Sequence, residues 1–180
     1  MREEELVEHC RQKDKSAQKQ LYELYAGTLF ALCIRYSGNR EAAEDILHDG
    51  FLRIFTSFDK FDYRGEGSLK AWLSRVMVNE ALGYLRKRNQ LAQQEVLMEQ
   101  LPDTEEDDEG VGDIPQAELM KMIAGLPDGY RTVFNLYVFE DKSHKEIAQM
   151  LGITEHTSSS QFYRAKTLLA KKINEYRKKL

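Results

Sequence analysis

Side chains that can read nucleic-acid bases gather at the start of the last helical segment, predicted over residues 155–177. Hydroxyl, amide and imidazole groups come first and basic groups follow: Thr154, Glu155, His156, Thr157, Ser159, Ser160, Gln161, Arg164 and Lys166. Hydroxyls and amides bond base edges, and Gln161 can pair with adenine through two hydrogen bonds. Arg164 and Lys166 suit phosphates. The pattern predicts a DNA-binding helix.

A short helix and a glycine turn stand directly before that segment. Ser143 and Glu146 have the spacing of a capping box, which predicts a helix start. Gly152 supplies the left-handed backbone that ends this helix, and Thr154 is placed to cap the next one. Two helices joined in this way place the second helix in a major groove. A packed hairpin with a solvated polar face is the alternative, but the turn, the caps and the basic tail together favour DNA binding.

The side chains with catalytic or metal-binding chemistry are scattered. Histidines stand at 9, 48, 144 and 156, and cysteines at 10 and 33, so neither a metal-ligand set nor a catalytic triad is formed. Cys33 lies in an apolar stripe and is predicted to be a buried thiol. A phosphate-binding glycine loop is also missing from the sequence. We therefore expect a binding protein without a cofactor or metal, not an enzyme.

An excess of negative over positive charge is found in only one segment of the sequence. The net charge is −4 overall, but it is +1 for residues 1–90, −9 for residues 91–115 and +4 for residues 116–180. Five consecutive acids and the following glycines cannot offset the entropy of folding by burying apolar area. We predict a flexible acidic linker over 93–115, between an N-terminal domain at 1–92 and a C-terminal domain at 116–180.

Apolar residues recur at three- and four-residue steps on both sides of this linker, and no stretch alternates with a period of two. One stripe ends near Ser37 and Gly38 and comprises Leu21, Leu24, Tyr25, Leu29, Leu32, Cys33 and Tyr36. A second helix should carry its core face over 42–58. After a loop at 59–67, Ser68 is placed to cap a third helix. The predicted fold is all-α, with two small helical domains.

The sequence lacks the apolar span of about 18 residues that a bilayer requires. Its N-terminus is acidic and does not follow the plan of a secretory signal. These features predict a cytoplasmic protein.

Several motifs, in order, resemble those of extracytoplasmic-function (ECF) sigma factors of the sigma-70 family. AEDILHDGFLRIF at 43–55 looks like region 2.2, and YRGEGSLKAWL at 63–73, continued through Asn79 to 86–88, is similar to regions 2.3 and 2.4. LPDGYRTVFNLYV at 126–138, SHKEIAQMLGIT at 143–154 and YRAK at 163–166 resemble region 4. The resemblance covers nearly the whole chain.

The resemblance implies a promoter-specificity subunit that acts with core RNA polymerase, binds promoter DNA and is commonly held by an anti-sigma factor. It implies polymerase binding by Asp45, His48, Asp49, Leu52 and Arg53. It implies recognition and melting of the −10 element by Phe61, Tyr63, Arg64, Arg75, Asn79, Arg86, Lys87 and Arg88. It implies recognition of the −35 element by the helix-turn-helix. It also implies that the linker extends towards the active-site cleft of polymerase, although a solubilising tether is an equally supported interpretation.

The residues support these assignments independently. Asp45, His48, Asp49 and Leu52 fall away from the predicted core stripe, as a surface for another protein's helix would. Exposed rings stack on the bases of melted DNA. Tyr63, in the glycine loop, is the better candidate for stacking because Trp72 lies on an apolar stripe and is expected in the core.

The recognition helix departs from the family pattern. Ser158 stands where many members have valine and is expected to weaken packing, while Ser159 and Gln161 replace basic residues. A free-standing helix-turn-helix regulator, binding operators without polymerase, is the competing interpretation of the whole chain.

Overall fold

The computed structural model describes residues 1–88 and 112–180, and the regular elements in these ranges are helices, as predicted. They are α1 Glu3–Arg11, α2 Lys15–Ser37, α3 Arg40–Ser57, a 3-10 turn Phe58–Lys60, α4 Ser68–Lys87, α5 Gln116–Ala124, α6 Asp128–Val138, α7 His144–Leu151 and α8 Glu155–Arg177. Two compact units are formed, Met1–Lys87 and Arg88–Leu180. Most of the linker predicted over 93–115 lies outside the described residues.

The N-terminal unit is built on α2, α3 and α4, each of which packs against the other two. Gly38 has a φ of 78°, which closes α2 where the sequence predicted. Asn39 then caps α3, since its side chain accepts a hydrogen bond from the Ala42 amide at 2.8 Å. The two helices on either side of this short turn pack against each other.

Helices α3 and α4 meet closely at Gly50. A Cβ atom at this position would lie 2.6 Å from the Cε of Met77, a fully buried residue of α4. Such a distance is far below van der Waals contact, so the absence of a side chain at Gly50 allows this approach.

Three features of the N-terminal unit differ from expectation. Helix α1 was not predicted, although it buries Leu6, Val7 and Cys10. Leu24 was expected in the core, but 59% of its surface is exposed. Ser68 is the first residue of α4 rather than its cap, because its hydroxyl donates to the Gly65 carbonyl at 2.6 Å and closes the preceding loop instead.

In the C-terminal unit, α8 packs against α5, α6 and α7. The core cluster comprises Ile123, Leu126, Tyr130, Ala165 and Leu169. Arg131 of α6 is buried beside it, where it donates to the Leu126 carbonyl at 2.7 Å and pairs with Asp128. Burial lowers the pKa of Arg131, and the Asp128 carboxylate opposes that shift. The buried guanidinium thus ties the α5–α6 turn to α6.

Both cysteines are buried thiols, which confirms the prediction for Cys33. Burial raises the pKa of Cys10 to about 11 and that of Cys33 to about 12.

Within residues 1–88 and 112–180, no group of three His, Cys, Asp or Glu side chains is arranged to hold a metal ion. None of the described helices has both the length and the apolar composition needed to cross a membrane.

Candidate nucleic-acid interface

The predicted helix-turn-helix is formed by α7 and α8. The Glu146 amide donates to Ser143 Oγ at 3.1 Å, and the Ser143 amide donates to Glu146 Oε1 at 3.2 Å, which completes the capping box. Hydrogen bonding of the Glu146 carboxylate to the Ser143 backbone amide, and next to the Ser143 side chain, lowers the pKa of Glu146. Gly152 has a φ of 67°, and Thr154 Oγ1 accepts from the Thr157 amide at 3.0 Å. The predicted caps and turn are confirmed.

One side of α8 faces solvent near its N-terminus. The exposed side chains there are Glu155, His156, Ser159, Tyr163 and Lys166, with Thr157, Ser160 and Arg164 half-buried at the edges. Thr154, also exposed, is occupied by its capping bond. Hydroxyl, imidazole, phenol and ammonium groups therefore share a surface suited to base edges and phosphates.

Gln161 does not belong to this surface, so its predicted pairing with adenine is wrong. Only 4% of Gln161 is exposed, because the inward face of α8 runs through Ser158, Gln161, Ala165 and Leu169 at steps of three and four. Phe162 is half-buried at the edge of that face. Gln161 was predicted on the surface because its side-chain amide is polar.

Tyr163 was missed as a candidate for the interface. It is 42% exposed and lies one helical turn beyond Ser159 on the same side. Its spacing of four from Ser159 and three from Lys166 was the signal that could have placed it there.

Arg164 sits at the edge of the polar surface with one nitrogen in an unusual setting. Its Nη1 atom is buried and has no hydrogen-bond partner within the described residues. An unsatisfied donor on a charged group is costly, so this setting of Nη1 does not stabilise the side chain.

A second surface lies on α3. The predicted polymerase-binding residues Asp45, His48, Asp49, Leu52 and Arg53 are all exposed. Leu52 is 54% exposed among these polar groups, and Arg53 pairs with Glu80 of α4 at 3.4 Å. The opposite side of α3 is buried, so the helix separates a core face from a mixed polar and apolar outer face.

The loop before α4 carries the predicted −10 residues Tyr63 and Arg64. Tyr63 is half-buried, while Arg64 is exposed and pairs with Asp62 at 3.2 Å. Partial desolvation, followed by the carboxylates of Glu3 and Glu4 in α1, raises the pKa of Tyr63 above its ordinary value of 10. Arg75, Asn79, Arg86, Lys87 and Arg88 are exposed along or just after α4.

Phe61 was expected to contact the −10 element, but the structure places it in the core. It is 5% exposed, and its ring stacks on Trp72 with centroids 4.8 Å apart. Trp72 also packs against Phe58, but it is half-buried and so lies at the edge of the core in which it was predicted. Arg11 of α1 donates to the Phe61 carbonyl, so both the ring and the backbone of Phe61 support the loop that presents Tyr63.

Family models match both units. The model for sigma-70 region 2 matches residues 21–90, and the model for sigma-70 region 4 matches residues 116–169.

Similar proteins cover nearly the whole chain. The ECF RNA polymerase sigma-E factor of Haemophilus influenzae is 28% identical over 93% of each chain. The ECF RNA polymerase sigma factor SigW of Bacillus subtilis is 26% identical over 94% of this chain and 95% of SigW.

A similar fold is seen in the sigma factor RpoE from Bartonella quintana, solved with the anti-sigma factor NepR. It is 24% identical, with a TM-score of 0.50 over 87% of this chain and 96% of RpoE. Two region models in family order, whole-length relatives and the shared fold agree. The chain therefore belongs to the ECF subfamily of sigma-70 factors, which bind core RNA polymerase and direct promoter-specific initiation of transcription.

Proposed function

We propose that this sigma factor divides promoter binding between its two units. Domain 1–92 docks on core polymerase and recognises and melts the −10 element, while domain 116–180 reads the −35 element through α8. The observation that carries the proposal is the exposed row of hydroxyl, imidazole and phenol groups on α8, behind a capped glycine turn. The chain acts in the cytoplasm, where promoters are transcribed, and has no catalytic role of its own.

The −35 contacts combine base edges and phosphates. His156, Ser159 and Ser160 lie within the first two turns of α8, where a recognition helix meets base edges. Arg164 suits a phosphate, because its guanidinium is a charged donor at the edge of the exposed surface of α8.

Core polymerase binds the outer face of α3. Exposed Leu52 supplies an apolar anchor, and Asp45 and Asp49 supply negative charge around it. A central apolar group ringed by charges is the usual plan of a protein interface, with the charges favouring a basic partner surface.

Melting of the −10 element relies on Tyr63 as a platform for an unstacked base. The ring is partly accessible at the start of the glycine loop, and Arg64 beside it is exposed. Aromatic rings stack on bases whatever their sequence, and nearby arginines hold the strand backbone. Arg86, Lys87 and Arg88 at the end of α4 supply further positive charge for phosphates.

An anti-sigma factor is the proposed inhibitor. The Bartonella quintana sigma factor with the same fold was solved in complex with such a protein. In this chain, an anti-sigma factor would cover the surfaces proposed for polymerase and DNA. The acidic segment predicted over 93–115 would join the two domains, either as a solubilising tether or as a negatively charged segment that competes with RNA in the polymerase channel.

Open-complex formation tests the proposal. The protein is mixed with core polymerase and a promoter library, and melted promoters are recovered. We expect open complexes that neither component forms alone. Tight operator binding by the free chain, with no affinity for core polymerase, would instead make it a free-standing regulator.

A further inference from the structure

The two helices of the helix-turn-helix are joined by a side-chain hydrogen bond across the turn. His144, the first residue of α7, places Nδ1 2.8 Å from Oγ of Ser158 in α8. Ser158 is completely buried, so this contact lies inside the unit.

The imidazole ring is held in place by its neighbours. It stacks on Tyr137 of α6 with centroids 4.7 Å apart and planes 19° apart. Phe162 of α8 lies 5.8 Å from the imidazole at 57°, and its ring also contacts that of Tyr137, with centroids 4.3 Å apart. A ring fixed by α6 and α8 directs its nitrogen towards one position, which is occupied by the Ser158 hydroxyl.

Apolar packing between helices is less directional than a hydrogen bond. Ile147, Ala148 and Ala165 are buried apolar residues, and such packing tolerates small rotations of one helix about its own axis. A hydrogen bond weakens steeply as its angle departs from linearity. The bond from His144 therefore selects one rotation of α8.

Ser158 does not need His144 to satisfy its hydroxyl. A serine inside a helix can donate to the carbonyl four residues earlier, here that of Thr154, which already accepts from the Ser158 amide. The His144–Ser158 hydrogen bond therefore constrains α7 relative to α8 and is not required to satisfy a buried polar group.

The rotation of α8 decides what DNA meets. Ser158 has Thr157 and Ser159 as chain neighbours, and these lie at the edge and on the face of the exposed surface. We propose that the His144–Ser158 hydrogen bond is a positioning contact that fixes the rotation of the recognition helix and thereby sets the −35 base preference. This inference rests on the proposed −35 role of α8.

The test uses the full chain with core polymerase and a promoter whose −35 hexamer is randomised. The hexamer enriched by the wild-type holoenzyme becomes the probe, and preference is its affinity divided by that of the unselected pool. Ser158→Ala removes the hydroxyl, and His144→Phe retains an aromatic ring while removing the nitrogen. Ile147→Val, which trims the same helix interface without touching the bond, is the matched control.

We expect Ser158→Ala and His144→Phe each to lower the preference about threefold to tenfold, the range of a single hydrogen bond. The double variant should match the single ones, because both remove one interaction. Ile147→Val should lower the melting temperature and leave the preference unchanged. If Ser158→Ala fails to fold, His144→Phe alone decides, since it leaves α8 intact.

Variants that lower the melting temperature but keep the wild-type preference would overturn the inference while leaving the proposed function standing. A wild-type holoenzyme that enriches no −35 hexamer would overturn both.

Discussion

Asp113 and Arg177 form an ion pair through two hydrogen bonds. Arg177 Nε donates to Oδ2 of Asp113 at 3.0 Å, and Nη2 donates to Oδ1 at 2.6 Å. Ile114, the next residue, is 8% exposed. The pair and this buried side chain together fix the point where the chain enters the C-terminal unit, at the end of α8.

The first prediction concerns acid stability. Hydrogen bonding to Arg177 lowers the pKa of Asp113 from its ordinary value of 3.8. A carboxyl whose pKa is lowered by folding stabilises the protein above its unfolded pKa, and that contribution is lost as the pH falls through the folded pKa. Asp113→Asn should therefore lower the melting temperature at pH 7, and its difference from wild type should shrink below about pH 4.

Glu175→Gln serves as the control, because it makes the same chemical change at an exposed carboxyl of α8. Thermal unfolding followed by circular dichroism at a series of pH values gives both differences. A deficit in Asp113→Asn that stays constant down to pH 2 would contradict the prediction.

The second prediction concerns polymerase docking. Asp45→Arg combined with Asp49→Arg should weaken binding to core polymerase at least tenfold, because like charges would face a basic partner. Helix content should not change, since both residues are exposed. Glu23→Arg with Glu175→Arg makes the same change in net charge elsewhere. Equal affinities for the two double variants in a fluorescence-anisotropy titration would remove the α3 surface from the docking model.

The third prediction concerns DNA melting. Tyr63→Ala should reduce open-complex formation about tenfold, because a stacking platform for an unpaired base is lost. Tyr63→Phe retains the ring and should remain close to wild type. Fluorescence of 2-aminopurine placed in the −10 element reports the melting. If both variants melt the promoter normally, the ring has no such role.

The fourth prediction concerns phosphate contact by the recognition helix. Arg164→Ala should reduce the dependence of log affinity on log salt by about one unit, as expected when one phosphate contact disappears. Lys19→Ala, which removes a charge from α2 in the other unit, should leave that slope unchanged. Holoenzyme binding to one promoter at several salt concentrations provides the comparison, and equal slopes for wild type and Arg164→Ala would show that Arg164 points away from the backbone.

The fifth prediction compares two helical glycines. Gly27→Ala in α2 meets no atom within 4 Å and should raise the unfolding free energy by about 0.5–1 kcal/mol. Gly50→Ala should lose this gain, because Met77 must move to admit the methyl group. Urea unfolding of both variants measures the contrast. Equal stabilisation would show that the Met77 side chain adapts without cost.

Local signals allowed much of the fold to be predicted. Ser143, Gly152 and Thr154 act on atoms within four residues, so their patterns determine the turn between α7 and α8 whatever surrounds them. The end of α2 at Gly38 followed for the same reason. Such features can be derived from residue types alone.

The predictions failed for residues whose burial depends on contacts distant in the sequence. Gln161 and Phe61 were assigned to DNA surfaces by their chemistry, but the packing of α8 against α6 and α7, and of Phe61 against Trp72, buries both. Leu24 looked like a core residue because of its spacing, yet no neighbour covers it enough to bury it. Sequence spacing identifies a helix face, whereas the neighbours determine how far around the helix burial extends.

The contact at Gly50 has a mechanical consequence. Helix α3 carries the surface proposed for polymerase, and α4 carries charged groups proposed for DNA. The backbone of α3 at Gly50 lies against the Met77 side chain of α4. Because close-packed interiors compress little, a displacement of α3 at this contact would also displace α4. A displacement caused by polymerase at the proposed α3 surface would therefore also move the proposed DNA-binding groups of α4.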